Sequence, residues 1–202
     1  MARYSQNRFL PVLLIIIVMI IAVVAIVSLA RAVFFSGDRN SEQAQQIDVS
    51  REALLSTDVD RSVQMTIRGP IVADEDFNSY RITVSPDSRS MVTYRGYLDA
   101  PIDRTSLSNN TAAYEEFVHA LDKANLALGV AFEGDDDDTR GICATGRVYE
   151  YEILDSDNVV KRLWTSTCSG SKGSLNASVE QLTNLFVRQI PDARSALRSI
   201  NI

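Results

Sequence analysis

Residues 143–170 read CATGRVYEYEILDSDNVVKRLWTSTCSG, and this is the most informative part of the sequence. Two segments of alternating apolar and polar residues flank a turn sequence, DSDN, at 155–158, a pattern typical of an antiparallel β-hairpin. On the second segment, Val160 and Trp164 share one face and Lys161 lies on the other. The residues that share the apolar face of the first segment are Tyr149, Tyr151 and Ile153.

The turn of this hairpin determines how its two cysteines meet. A two-residue loop at 155–156 places Cys143 directly opposite Cys168. A loop at 156–157, or a four-residue loop over 155–158, makes the cysteines diagonal neighbours. Both residues lie on the apolar face in either register, and we therefore predict a disulfide, which persists in an oxidising compartment. Two free buried thiols in a reducing compartment are the alternative.

Both registers also predict which side chains share each face of the hairpin. The solvent face is expected to carry Lys161 opposite Glu150 and Glu152, which is a favourable cross-strand charge pairing. The predicted core face carries Cys143, Tyr149, Tyr151, Ile153, Val160, Trp164 and Cys168.

Upstream of the hairpin, the sequence predicts three strands and then a helix. Alternating segments at 63–67 and 80–84 are typical of strands. A third strand is predicted at 91–98, where apolar residues occur on both faces and the buried side stays open. Apolar residues from position 114 to 128 recur with the spacing of one helical face. Asn110 is a suitable N-cap for this helix.

A last helix is predicted to begin at Ser178, with Gln181 completing a capping box. Pro191 either kinks this helix or begins a separate one. Residues 61–202 are therefore predicted to form an α+β domain of order β-β-β-α-β-β-α, in which the helices cover one face of an antiparallel sheet.

A long apolar segment near the N-terminus predicts a membrane anchor. Residues 9–30 read FLPVLLIIIVMIIAVVAIVSLA and contain no charged residue. A helix of this length spans about 33 Å, which matches a hydrocarbon core of about 30 Å. A cleaved signal peptide is the alternative, because residues 30–32 resemble a cleavage site. However, the apolar segment exceeds the roughly 7–15 residues of the apolar h-region of a signal peptide.

Charge predicts the orientation of this helix. Residues 1–8 carry two arginines and no acidic residue, so the positive-inside rule makes them a cytoplasmic tail. Residues 31–202 are then outside a single-pass cell-membrane protein. Residues 31–60 are polar, contain two helix N-cap sequences, and are predicted to form a partly helical stalk. The lipid bilayer is the predicted partner of residues 9–30.

Composition excludes several classes of function. The net charge of −6 argues against a nucleic-acid partner, and a single histidine argues against most histidine metal sites. The sequence contains no nucleotide-binding or other cofactor motif, so no cofactor is expected. The acidic run at 133–138 allows a calcium site formed by Glu133, Asp135 and Asp137 as an alternative to a solvated loop. The run lacks the spacing of an EF-hand.

No catalytic residue is predicted. His119 falls on the polar face of its helix, which is typical of a surface histidine rather than a general base. Ser171 and Lys172 are the types found in a serine–lysine dyad, but adjacent side chains seldom face each other. A flexible loop rich in serine and glycine accounts for them more simply.

Three stretches carry a resemblance to other proteins, namely RGPIVADE at 68–75, NNTAAYEE at 109–116 and GICATGR at 141–147. They resemble an uncharacterised group of single-pass membrane proteins from small-genome bacteria of the Saccharibacteria type. The resemblance covers most of residues 50–200. It implies a bacterial cell surface, and it brings no activity or site residues.

Together these features predict a membrane-anchored extracytoplasmic binding or scaffolding module without catalytic activity. Its partner is expected to be a protein or another envelope ligand. A subunit of a secretion or pilus machine and a surface hydrolase with an unrecognised site are the alternatives.

Overall fold

The computed structural model describes residues 19–21, 23, 24 and 49–200. No helix among these residues is long and apolar enough to cross a membrane. The predicted tail at 1–8, most of the predicted membrane helix at 9–30 and the stalk up to residue 48 lie outside the described residues. The chain divides into two compact units, Met1–Gln45 and Gln46–Ile202. The following description concerns the second unit.

The second unit is built on a six-stranded antiparallel sheet, which confirms the α+β prediction. The order of the strands across the sheet is β4-β3-β2-β1-β5-β6. Its strands are β1 (Arg61–Arg68), β2 (Asn78–Val84), β3 (Ser88–Arg95), β4 (Ala100–Ser108), β5 (Val148–Asp155) and β6 (Asn158–Ser166).

The prediction of only three strands before the helix was wrong, because β4 is a fourth. This strand lies at the edge of the sheet, and most of its residues are exposed on both faces. A strand with no buried face has no reason to alternate apolar and polar residues, so its sequence lacks the pattern of a strand.

The helices pack on one face of the sheet, as predicted. They are α1 (Thr111–Lys123), α2 (Val179–Val187) and α3 (Ala193–Ser199). Asn110 caps α1 and Ser178 caps α2, and each side chain accepts a hydrogen bond from a backbone N–H three residues on. The last two helices are separate, since Pro191 lies between them. From residue 61 onward, the order of strands and α-helices is therefore β-β-β-β-α-β-β-α-α.

The hydrophobic core lies between these helices and the sheet. Phe117 of α1 and Phe186 of α2 pack edge to face with their ring centroids 5.3 Å apart, above a sheet surface that includes Met65 and Ile82. Residues 49–55 are helical, and Leu54 in this segment is completely buried in the same core.

The hairpin forms, but the predicted faces of its second strand were wrong. Val159 pairs with Leu154 and Lys161 pairs with Ile153, so Val160 has no partner on β5. This β-bulge inserts one residue and reverses which side chains of β6 face each side of the sheet. Trp164 therefore pairs with Glu150 on the face away from the helices, while Lys161 turns towards the core.

Lys161 is buried on the helical side of the sheet, although it was predicted to face solvent. Its side chain is 4% exposed, and its Nζ donates a hydrogen bond to the carbonyl oxygen of Ala127 at 2.8 Å. No carboxylate among the described residues forms an ion pair with it. Burial lowers the pKa of the Lys161 ammonium below its usual value.

The lowered pKa of Lys161 predicts a pH-dependent stability. Between this pKa and the ordinary value of about 10.4 the unfolded chain binds more protons than the folded chain, so stability rises with pH. Wild-type protein should therefore gain stability relative to Lys161→Met as the pH rises towards about 10.4, as measured by urea unfolding. Lys123→Met, which removes an exposed ammonium from the end of α1, is the control for lost charge. Equal pH slopes for wild type and Lys161→Met would contradict this account.

Candidate functional site

A buried glutamate organises the sheet face that lies away from the helices. Glu150 on β5 is 4% exposed. Arg68 of β1 approaches its Oε1 at 3.1 Å and Arg162 of β6 approaches its Oε2 at 3.1 Å. The hydroxyl of Thr139 donates to Oε1 at 2.8 Å. Because both oxygens are paired, the charge of Glu150 is tolerated at this depth.

Arg162 extends this network to the acidic run. Its Nη1 donates to both the backbone oxygen and the Oδ2 of Asp137, each at 2.7 Å. Burial alone would lower the pKa of Arg162, but the carboxylates of Glu150 and Asp137 outweigh it and raise that pKa. Asp137 thereby ties the acidic run at 133–138 to the sheet, while Glu133, Asp135 and Asp136 remain exposed.

This arrangement bears on the calcium alternative. The carboxylate of Asp137 binds a guanidinium, and residues 134–137 form a 3₁₀ turn. Among residues 49–200 and the few described before them, no group of three or more His, Cys, Asp or Glu side chains is placed to hold a metal ion. The structure does not bring Glu133, Asp135 and Asp137 together as a metal site.

The predicted disulfide between Cys143 and Cys168 is present, with the two Cα atoms 5.5 Å apart. The prediction that the cysteines pair within the ladder of the hairpin was wrong, because β5 begins only at Val148 and β6 ends at Ser166. The disulfide instead joins the loop before β5 to the loop after β6. A hydrogen bond from the Ser171 hydroxyl to the carbonyl oxygen of Ile142, at 3.2 Å, links the same loops.

A cleft of about 530 Å³ lies between the acidic run and the loop after β6, within the usual range of ligand sites. We call it the Trp164 cleft. Its lining includes Ile142, the backbone of residues 170–173 and six side chains that carry its chemistry. These are Phe132, Asp135, Asp136, Asp138, Trp164 and Lys172.

The apolar part of the cleft is aromatic. The rings of Phe132 and Trp164 meet edge to face, with centroids 5.9 Å apart. Trp164 is 3% exposed, and its indole N–H has no hydrogen-bond partner among the described residues. A buried donor without a partner is uncommon in folded proteins.

The charged part of the cleft is mainly negative. Asp138 pairs with Arg140, and this hydrogen-bonded pairing lowers the pKa of Asp138 to about 2. Within the part of the chain that the structure describes, Asp135, Asp136 and Lys172 form no ion pair. The cleft therefore presents uncompensated carboxylates from one loop and one ammonium from the other.

Glycine at position 173 shapes the wall of the cleft. Gly173 has a φ of +69°, and a Cβ atom there would clash with the carbonyl oxygen of Trp164 and lie 2.7 Å from its ring atom Cε3. The chain can pass this close to Trp164 only where there is no side chain. The loop then continues to Ser174, whose hydroxyl accepts a hydrogen bond from the Trp164 backbone N–H at 3.1 Å.

The other residues considered in the sequence lie apart from a catalytic arrangement. His119 is exposed on α1, and the hydroxyl of Ser171 donates to a backbone carbonyl rather than to a lysine. No sequence pattern identified Phe132, Asp138, Arg162 and Trp164 as site residues. Trp164 reaches this face of the sheet only because the bulge at Val160 reverses the faces of β6. Without knowledge of the bulge, the sequence carries no signal for Trp164.

The chain matches no protein-family model, and no curated protein matches it. The case for a function therefore rests on the geometry of the Trp164 cleft and on the sequence.

Replacing Glu150 tests the network that holds the acidic run. Glu150→Gln leaves two arginines beside a neutral amide, and we expect a loss of about 2 kcal/mol in the free energy of unfolding. We expect a smaller loss than for a fully buried ion pair because both arginines are partly exposed. Urea unfolding measures it, and Glu115→Gln on the exposed face of α1 is the control. A loss below about 0.5 kcal/mol would mean that the network does not stabilise the fold.

A matched pair of glycine variants tests the wall of the cleft. Gly173→Ala is expected to destabilise the protein by about 2 kcal/mol or more, through backbone strain and the clash with Trp164. It should also shift the emission of Trp164, the only tryptophan of the chain. Gly170→Ala should do neither, because a Cβ atom there meets nothing within 4 Å. If the two variants had similar unfolding temperatures and similar tryptophan emission, the close contact between Gly173 and Trp164 would be contradicted.

Proposed function

We propose that this protein is a membrane-anchored extracytoplasmic binding module and that the Trp164 cleft is its binding site. The observation that carries the proposal is the cleft itself, which combines the accessible ring of Phe132, uncompensated charges and two loops joined by a disulfide. Pockets that bind small groups commonly combine an apolar lining with a few polar groups in this way.

The disulfide supports a location outside the cytoplasm. Disulfides of this kind persist where the environment is oxidising and are rare where thiols are kept reduced. The uncharged segment at 9–30 supports anchoring, since its length matches the bilayer and its flanking charge favours a cytoplasmic N-terminus. Export and anchoring then follow from one segment.

The chemistry of the cleft favours binding over catalysis. A nucleophile needs an adjacent base, and a general acid or base needs a partner that tunes it. In the described part of the chain, the hydroxyl of Ser171 donates a hydrogen bond to a backbone carbonyl oxygen. The carboxylates of Asp137 and Asp138 are paired with arginines. What remains is a charged and aromatic recess suited to recognition.

Fractionation of the full-length chain expressed in bacteria tests the location. The chain should stay in the membrane pellet after alkaline washing, be cut by protease added outside spheroplasts, and react with thiol reagents only after reduction. A matched variant lacking residues 1–30 should remain in the cytosol with both thiols reactive. Recovery of the full-length chain from the cytosol, with Cys143 and Cys168 both labelled without reduction, would overturn the proposal.

A further inference from the structure

We infer that the sheet face away from the helices binds an extended acidic peptide segment through Arg81 of β2 and Arg104 of β4. We call this surface the Arg81–Arg104 face. It goes beyond the proposed function, because it is a second binding surface, separated from the Trp164 cleft by β1 and β5. The inference is drawn from the strand register, the neighbours of both arginines and the position of the Arg81 guanidinium.

The strand register places the two arginines in one row across the sheet. Val92 of β3 pairs with Arg81 on one side and with Arg104 on the other. Directly paired residues of antiparallel strands point to the same face. The row continues from Arg81 through Thr66 to Glu150, so both arginines lie on the face away from the helices. Two strand spacings place their Cα atoms roughly 10 Å apart.

The positions around the two arginines are rich in hydroxyl groups. Along the strands and across them, the neighbours on this face include Thr66, Ser79, Thr83, Ser90, Tyr94 and Ser106. Asp99 reaches the edge of the face, where it accepts a hydrogen bond from the Ser79 hydroxyl at 3.5 Å. Among the described residues, however, neither arginine forms an ion pair. Two guanidinium charges are therefore left for an anionic ligand.

The Arg81 side chain is held from two sides. Its Cζ lies 5.7 Å from the centroid of the Tyr94 ring, a distance typical of a cation–π contact. Its Nε donates to the Thr66 hydroxyl at 3.3 Å. Within the described part of the chain, its two terminal nitrogens have no hydrogen-bond partner. A guanidinium with this end free binds a carboxylate through two parallel hydrogen bonds.

The direction of Arg81 favours two separate carboxylates over a single phosphate. Its Nε bonds to Thr66 on β1, the neighbouring strand on the side away from Arg104, so Arg81 does not lean towards Arg104. In an extended peptide, alternate side chains point to one side and are roughly 6.6 Å apart. Two acidic side chains spaced in this way can each meet one arginine, since the exposed side chain of Arg104 covers the remaining distance.

Binding of the full-length chain, kept in detergent, to an immobilised peptide tests the inference. The probe is the capped pentapeptide AEAEA, and the controls are its analogues AEAAA, AQAQA and AKAKA. We expect saturable binding of AEAEA that weakens as sodium chloride is added. AEAAA keeps one carboxylate and should bind roughly threefold more weakly. AQAQA and AKAKA should not bind.

Charge-matched variants assign the binding to the Arg81–Arg104 face. Arg81→Gln with Arg104→Gln should weaken the binding of AEAEA roughly tenfold. Arg104 is exposed, so Arg104→Gln alone should keep the fold and weaken binding roughly threefold. Arg194→Gln with Arg198→Gln removes the same charge from exposed positions of α3 and should leave the affinity unchanged. An equal loss in this control would overturn the inference, as would equal binding of AQAQA or no saturable binding of AEAEA.

A variant of the cleft separates this inference from the proposed function. Lys172→Gln removes the ammonium that lines the Trp164 cleft and should not change the affinity for AEAEA. Loss of binding in this variant would place the peptide in the cleft and overturn its assignment to the Arg81–Arg104 face. The cellular location is decided independently by the fractionation experiment.

Other occupants of the face have outcomes of their own. Stronger competition by sodium phosphate than by sodium chloride of equal ionic strength would overturn the choice of carboxylates. Sedimentation of the chain alone tests for a second copy. Salt-sensitive self-association that is lost in Arg81→Gln with Arg104→Gln would assign the face to that copy and overturn the choice of a separate peptide.

Discussion

Val160 has no partner on β5, and this one-residue bulge determines the chemistry of both faces of β6. Before the bulge, Val159 pairs with Leu154, and after it Lys161 pairs with Ile153. Because side chains alternate with a period of two, one inserted residue transfers every later side chain to the opposite face. Arg162 and Trp164 thereby reach the face away from the helices, where the acidic run and the cleft are built.

The network around Glu150 explains why the acidic run is ordered. Removing charges from water is unfavourable unless ion pairs and hydrogen bonds replace the lost hydration. Here the two oxygens of Glu150 are met by two arginines and a hydroxyl. Arg162 also donates from its Nη1 to Asp137. One guanidinium therefore connects the sheet to a segment whose own charges would otherwise repel each other.

The sequence allowed the main elements to be predicted because their patterns are local. Asn110 and Ser178 are caps whose hydrogen bonds span three residues, and the helices they begin carry a clear apolar face. The disulfide was also predicted correctly, although loops rather than ladder pairing bring Cys143 and Cys168 together.

The failures have a common physical origin. β4 was missed because an edge strand exposed on both faces has no hydrophobic period. Trp164 was placed on the wrong face because both Leu163 and Trp164 are buried, one on each side of the sheet, so alternation alone does not distinguish their faces. The cleft depends on the bulge and on contacts between loops distant in sequence, and neither leaves a periodic pattern. A site of this kind becomes visible only when the pairing register is known. The same contacts also fix the wall of the cleft, since the disulfide joins its two loops and the chain passes close to Trp164 at Gly173.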